Sequence, residues 1–330
     1  MDPGSRARPE LFVPTDEVAA QVEYLSRASG PTLAAVILFG SRLLGTSPDP
    51  HSATDLFVVV DSTRSFYGRL RERGMVQRSA FTLSVLNRWL TPNVISVRPP
   101  AVEGAGAKCF VVTREGLERA LSSRSADHFC KGRLSQRVEF VFVRESAVLR
   151  SLMTAVTRAR VETLCWVPLD LPREFDARTY CEHMLRVSYA GEIRPERGER
   201  VREVFSAQEH QLVPLYRDLI SRHGPEHGVV VAGDHFVRTR AVSRVARLRW
   251  AWYFRRSRIR ATLRWSKYLF TYDDWLDYIV RKLRRRTGLE LEIRPAERRW
   301  PLVLLWPKLF RVLRALRRAR RESMSPGDER

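Results

Sequence analysis

The chain has 330 residues, 44% hydrophobic and 29% charged, with 58 Lys plus Arg against 37 Asp plus Glu and a net charge of +21. That length favours two domains, and the composition excludes a disordered, collagenous or disulfide-stapled chain. Cys109, Cys130, Cys165 and Cys181 stand at least sixteen residues apart, which excludes a CxxC zinc or redox pair and predicts free thiols in a reducing compartment. Residues Met1–Pro14 lack the apolar core of a secretory leader, and no run of eighteen apolar residues occurs, so a soluble or surface-bound intracellular protein is expected. Thr15–Ala28 is predicted as a helix, with Thr15 able to cap it and Asp16 and Glu17 in its first turn. Leu33–Phe39 reads as a buried strand ending at Gly40, Thr46–Ala53 as a loop, and the β-branched run Leu56–Val60 as a second strand. Arg64–Arg73 is helical in pattern, Val94–Val97 and Cys109–Val112 are strand-like, and Thr113 is placed to cap a helix through Leu121. After a strand at Val138–Val143 the pattern turns helical, over Ser146–Thr163, Asp176–Ser188 and Arg200–Ile220, the last expected to kink or split at Pro214. The order is mixed α/β, then helices, then a basic tail, with no internal repeat.

The charge is concentrated. Arg238–Arg321 holds 26 Lys plus Arg and six acids, whereas the remainder holds 32 bases and 31 acids. Six of the eight tryptophans fall in the same stretch. A near-neutral body with a basic, Trp-rich tail predicts a polyanionic partner, either anionic lipid or single-stranded nucleic acid.

Phe39-Gly40-Ser41 followed by Thr54-Asp55-Leu56 resembles the nucleotidyltransferase signature, a Gly-Ser at one strand's end and a carboxylate on its neighbour. Gly lets backbone approach a triphosphate, the adjacent N–H and hydroxyl can bond phosphate oxygens, and the carboxylate can hold Mg²⁺. A plain turn and a strand-capping Asp would leave the same residues. The superfamily carries a second carboxylate two positions on, where this chain has Phe57. Asp61 shares that face but stands ~20 Å away at ~3.3 Å per residue, too far to share an ion.

Three further stretches narrow the resemblance: Lys108-Cys109-Phe110-Val111-Val112-Thr113, Lys131-Gly132-Arg133-Leu134-Ser135, and Leu185–Arg194 around Ser188-Tyr189-Ala190-Gly191-Glu192. In this order, and with the basic block Ser257–Arg264, they resemble the mitochondrial translocator assembly and maintenance family. The resemblance covers motifs between about residues 39 and 265. It implies a nucleotidyltransferase-like α/β (α+β) fold and a Mg²⁺-dependent phosphatidate cytidylyltransferase, which makes CDP-diacylglycerol from CTP and phosphatidic acid in phospholipid biosynthesis. Gly40, Ser41 and Asp55 would be catalytic, with Asp55 holding metal. Lys108, Arg133, Ser188 and Tyr189 would join Gly40 and Ser41 around the nucleotide. Lys108 also reads as a solvated strand-end cation, Arg133 as a helix cap, and Tyr189 as core. Glu192 stands as either the second metal ligand or the ionic partner of Arg194. His183 reads as a satisfied surface or core histidine.

In the tail, Leu309, Phe310, Leu313 and Leu316 recur at helical spacing from Pro307 to Arg321, interleaved with Arg311, Arg314 and Arg317 and preceded by Trp306. This predicts a helix lying in a bilayer interface and favours lipid over nucleic acid, since a nucleic-acid groove has no use for the Leu-Val-Leu-Leu run at 302–305. The expected organisation is a nucleotidyltransferase-like domain (1–145), a helical domain completing the cleft (146–235) and a membrane-contacting region (236–330). With no transit peptide evident, the cytoplasmic face of a bacterial membrane is expected over the matrix side of a mitochondrial inner membrane. Two alternatives stand: a nucleotidyltransferase acting on RNA or a small molecule, and an inactive membrane-bound scaffold of the same fold.

Overall fold

The computed structural model describes residues 11–46, 52–100, 106–190, 198–271 and 294. In chain order they carry α1 (Asp16–Ser29), β1 (Leu33–Phe39), α2 (Ser41–Leu44), β2 (Thr54–Val60), α3 (Thr63–Glu72), α4 (Ala80–Trp89), β3 (Asn93–Val97), β4 (Ala107–Thr113), α5 (Arg114–Leu121) and α6 (Phe129–Leu134). There follow β5 (Glu139–Val143), α7 (Ser146–Glu162), β6 (Glu174–Phe175), α8 (Ala177–Ala190), α9 (Gly198–Ser206), α10 (Glu209–His223), β7 (Val229–Ala232), β8 (His235–Arg238) and α11 (Arg244–Thr271). All of these belong to one unit ending at Thr271.

The centre is a five-stranded mixed sheet in the order β3-β4-β2-β1-β5, an α+β arrangement. β2 and β4 run parallel, and the other neighbours are antiparallel. Every residue of β1, and every residue of β2 except Asp55, is buried, because helices cover both faces. On one face Val36, Leu38, Leu56, Val58 and Val60 pack with Val22 and Leu25 of α1, Phe66 and Leu70 of α3 and Leu83 of α4. On the other, Ile37, Phe39, Phe57 and Val59 pack with Leu117 of α5, Cys130 and Leu134 of α6, and Leu152 and Val156 of α7. A third cluster joins α8, α9 and α10 to the small sheet β6-β8-β7 through Tyr180, Phe205, Tyr216 and Phe236.

The expected strands form at or within two residues of the expected ends, and Thr113 caps α5 by accepting from the Gly116 N–H at 3.0 Å. Two local expectations change. Thr15 occupies the N-cap of α1 but its side chain accepts no bond there. The break expected at Pro214 lies instead at Ala207–Gln208. Buried Gln208 donates to the Val204 carbonyl at 3.1 Å and accepts from the Arg137 N–H at 3.0 Å, stopping α9. Pro214 sits on the exposed side of an unbroken α10, where water can satisfy the carbonyl it leaves unpaired. Among the described residues no helix is long and apolar enough to cross a membrane. Glu192, Arg194 and the predicted interfacial helix with Trp306 through Arg317 lie outside the described residues.

Candidate active site

The site is assembled by strand register. Phe39 pairs with Asp55 across β1 and β2, so Gly40, one residue on, lies beside the start of β2. Asp55 pairs with Lys108 across the parallel β2 and β4. Alternation sends Asp55, Phe57 and Val59 to the face covered by α5, α6 and α7. Lys108, Phe110 and Val112 share that face, with Phe110 and Val112 in the same core cluster.

Gly40 has φ +82°, a conformation that side-chain-bearing residues rarely adopt. A Cβ there would stand 2.7 Å from Asp55 Oδ2. The carboxylate is therefore tucked against glycine backbone, and Ser41 follows directly as the first residue of α2, half-buried. Asp55 is itself half-buried. Burial raises its pKa, and the charges of Lys108 and Arg133 pull the other way without cancelling it.

Arg133 comes from α6, where its guanidinium lies over the Tyr189 ring at 5.1 Å. That contact requires α6 and α8 to cross closely, and they do so at Gly132, where a Cβ would meet Ser188 Cβ at 3.3 Å and His128 Nε2 at 2.8 Å. Ser188 is buried, and its hydroxyl donates to the Met184 carbonyl one turn back at 2.8 Å, so it serves this crossing by its small size. Tyr189 donates to Gln136 Oε1 at 3.4 Å. The fold thus brings Gly40, Asp55, Lys108, Arg133 and Tyr189 together from five separate elements, with Ser41 adjoining. His183 is half-buried, its Nε2 without a hydrogen bond and 4.0 Å from Asp170.

Position 57 carries no latent ligand. Phe57 is fully buried, with ring centroids 4.7 Å from Phe39, 5.7 Å from Phe110 and 6.2 Å from Phe129. These four rings lie on the face of the sheet that bears Asp55, directly next to it along β2. Asp61, at the other end of the strand, pairs with Arg144 at 2.6 Å. Among the described residues no group of three His, Cys, Asp or Glu side chains could hold a metal ion. Mg²⁺ usually keeps several waters and takes one or two carboxylates plus substrate phosphates. Asp55, beside Gly40, is thus the one predicted metal-ligating carboxylate that falls among the described residues, and it could supply a single oxygen-donor group to a Mg²⁺.

The sequence reading missed Asp127 and the inner face of α11. Asp127 Oδ1 accepts from the Phe129 N–H at 3.1 Å, opening α6. Its Oδ2 accepts from Arg260 at 2.8 Å and Arg264 at 2.7 Å, and the Arg264 guanidinium stacks on the Phe129 ring at 4.7 Å. Burial alone would raise the Asp127 pKa, but Arg264 and Arg260 together with the Phe129 N–H overcome it and lower it. Ser257 Oγ accepts from the His128 N–H at 3.0 Å, and Tyr253 and Ser125 share a hydroxyl–hydroxyl bond at 2.8 Å. Lys267, also buried, donates to the carbonyls of Leu90 and of Pro92, the latter at 2.9 Å. Part of the basic block read as polyanion-binding is therefore engaged inside the protein, where it fixes the helix that bears Arg133. The signal was present: residues 253, 257, 260, 264 and 267 follow one helical face. No protein-family model matches the chain, and no curated protein matches it.

Proposed function

We propose that the protein transfers a cytidylyl group from CTP to phosphatidic acid at a membrane surface, giving CDP-diacylglycerol and pyrophosphate. The observation that carries the reading is the convergence of Asp55, Lys108 and Arg133 beside Gly40, whose φ is +82°. Motifs more than ninety residues apart in sequence meet at one place, with the charge pattern a triphosphate needs. CTP and phosphatidic acid as the substrates rest on the motif resemblance, and a membrane-resident acceptor accords with the basic, tryptophan-rich tail.

In this reading a phosphate oxygen of the acceptor attacks the α-phosphorus of CTP. A new P–O bond forms as the bond to the bridging oxygen of the β-phosphate breaks, and pyrophosphate departs. The acceptor phosphate is already an anion near neutral pH, so no side chain need remove a proton. Gly40 and Ser41 cradle the triphosphate with backbone N–H and hydroxyl, because only glycine leaves room beside the carboxylate. Lys108 supplies a point charge, and Arg133, its plane set by the Tyr189 ring, supplies a bidentate donor to phosphate oxygens. Asp55 would hold Mg²⁺, which when bound neutralises phosphate charge and favours the leaving pyrophosphate. The absence of a carboxylate at position 57 favours a second reading, a scaffold that binds nucleotide without turning it over.

Pyrophosphate release decides between them, measured with each of the four nucleoside triphosphates, Mg²⁺ and phosphatidate-containing vesicles. The proposal expects release with CTP alone and a loss of about 100-fold or more in Asp55→Asn. Nucleotide binding without release supports the scaffold, and full activity in Asp55→Asn overturns the site.

A further inference from the structure

We infer that the outer face of α11 is a docking surface for an anionic phospholipid bilayer. Its inner face is occupied by Ser257, Arg260, Arg264 and Lys267, as described above. A neighbouring face, about 110° around the helix from these residues at ~100° per residue, leaves Val245, Leu248, Trp252, Ile259 and Leu263 exposed, with Val245 at 75%, Leu248 at 71% and Trp252 at 62%. At 100° per residue these five fall on one stripe, about 27 Å long at ~1.5 Å per residue. Exposed arginines edge the stripe on both sides: Arg244, Arg255 and Arg258 on one, Arg249 and Arg256 on the other. The Arg255 guanidinium lies over the Trp252 ring at 5.9 Å. The helix contains eight Arg and one Lys and no acid.

Three occupants could cover such a face, and its chemistry selects one. A second copy of the chain related by a two-fold axis would lay the same arginines against each other with no carboxylate on the helix to offset them. Single-stranded nucleic acid would use the arginines and Trp252, but bases stack on aromatic rings and have no use for Val245, Leu248, Ile259 and Leu263. An anionic bilayer uses every part. The aliphatic side chains enter the acyl boundary, Trp252 sits at headgroup depth, and the arginines on both flanks meet lipid phosphates. The inference deepens the proposed function by naming a face that meets the acceptor's membrane, and it rests on that reading only for the membrane as partner.

The test is sedimentation of the full chain with vesicles, comparing mixed phosphatidylcholine–phosphatidylglycerol with phosphatidylcholine alone. No nucleotide and no phosphatidate are present, so failure of the cytidylyl-transfer reading cannot change the result. Binding is expected to the anionic vesicles, to weaken with added salt, and to fall about tenfold or more in Leu248→Glu/Ile259→Glu. Both positions are exposed, so the substitutions leave the core intact, which an unchanged melting temperature checks. Undiminished binding by the double variant overturns the inference, as does equal binding to neutral vesicles. Preference for a single-stranded oligonucleotide over vesicles, or a dimer that Leu248→Glu/Ile259→Glu dissociates in the absence of any vesicle binding, also overturns it.

Discussion

Asp55 is held where its charge is costly, and that cost is measurable. Burial lifts its pKa above the ordinary carboxylate value, with Lys108 and Arg133 offsetting part of the effect. A carboxyl whose folded pKa lies above its unfolded one favours folding when protonated, so its contribution to stability declines as pH rises through the folded value. Asp55→Asn is isosteric and removes the charge. It is expected to melt at a higher temperature than the parent at pH 7, with the difference shrinking as pH falls toward the carboxylate range. Calorimetry at the two pH values checks this, and a lower melting temperature at pH 7 contradicts it. Stability gained while activity is lost is the usual signature of a functional charge. Gly40 gives the complementary case. Gly40→Ala places a methyl 2.7 Å from Asp55 Oδ2 and imposes φ 82°, ψ −165°, a conformation essentially confined to glycine, on a side-chain-bearing residue. About 1–3 kcal/mol of stability should be lost from the backbone alone, read as the shift in urea midpoint, together with a displaced carboxylate and reduced nucleotide binding.

Elements position the rest. α6 is short, six residues, and could not hold Arg133 in place by its own helical bonds. Asp127, Arg260 and Arg264 hold it from outside, with Arg264 2% exposed and Asp127 8% exposed. Asp127→Ala leaves two guanidinium groups without their carboxylate, one of them fully buried, and is expected to cost about 3–5 kcal/mol in denaturant unfolding. Because the folded pKa of Asp127 lies below its unfolded value, its stabilisation is present above the unfolded pKa and is lost as pH falls through the folded one. Asp127→Asn should therefore flatten the acid limb of the stability profile. A profile matching the parent's would show that the clamp carries little energy.

The elements also show what could be read in advance. β1 and β2 were legible because a strand buried on both faces is a continuous apolar run bounded by Gly and Asp. Gly40, Asp55 and Lys108 were named from motif resemblance alone; the register that sets them side by side, with β4 pairing to β2 across an intervening β3 in the chain, was not legible in the sequence. α4 was not, since Phe81, Val85 and Trp89 point outward while Leu83 points in, which blurs the amphipathic period. Arg260 and Arg264 were read as charge for a partner because composition carries no direction. Their carboxylate lies 133 and 137 residues upstream, beyond any local pattern.

At the scale of the whole molecule, net charge sets two opposing salt effects. A chain at +21 repels itself, so moderate salt should raise the melting temperature by screening. The same screening should weaken adsorption to anionic vesicles. Melting and sedimentation measured over one salt series should move in opposite senses, and a parallel trend would mean that surface charge governs neither. α11 stands at the centre of this opposition, with six arginines exposed and Arg260, Arg264 and Lys267 turned into the body.

The Asp127 clamp spans 137 residues of chain, and a ribosome makes the two ends at different times. At roughly 5–20 residues per second, α6 emerges some ~7–27 s before Arg264 does. Through that interval the carboxylate that should launch α6 has no counter-ion, and the Phe129 ring has no guanidinium above it. The helix that carries Arg133 is thus among the earlier parts to be translated and among the last to be secured. A message truncated before codon 260 would release a nascent chain whose sheet can form but whose Arg133 is not yet anchored.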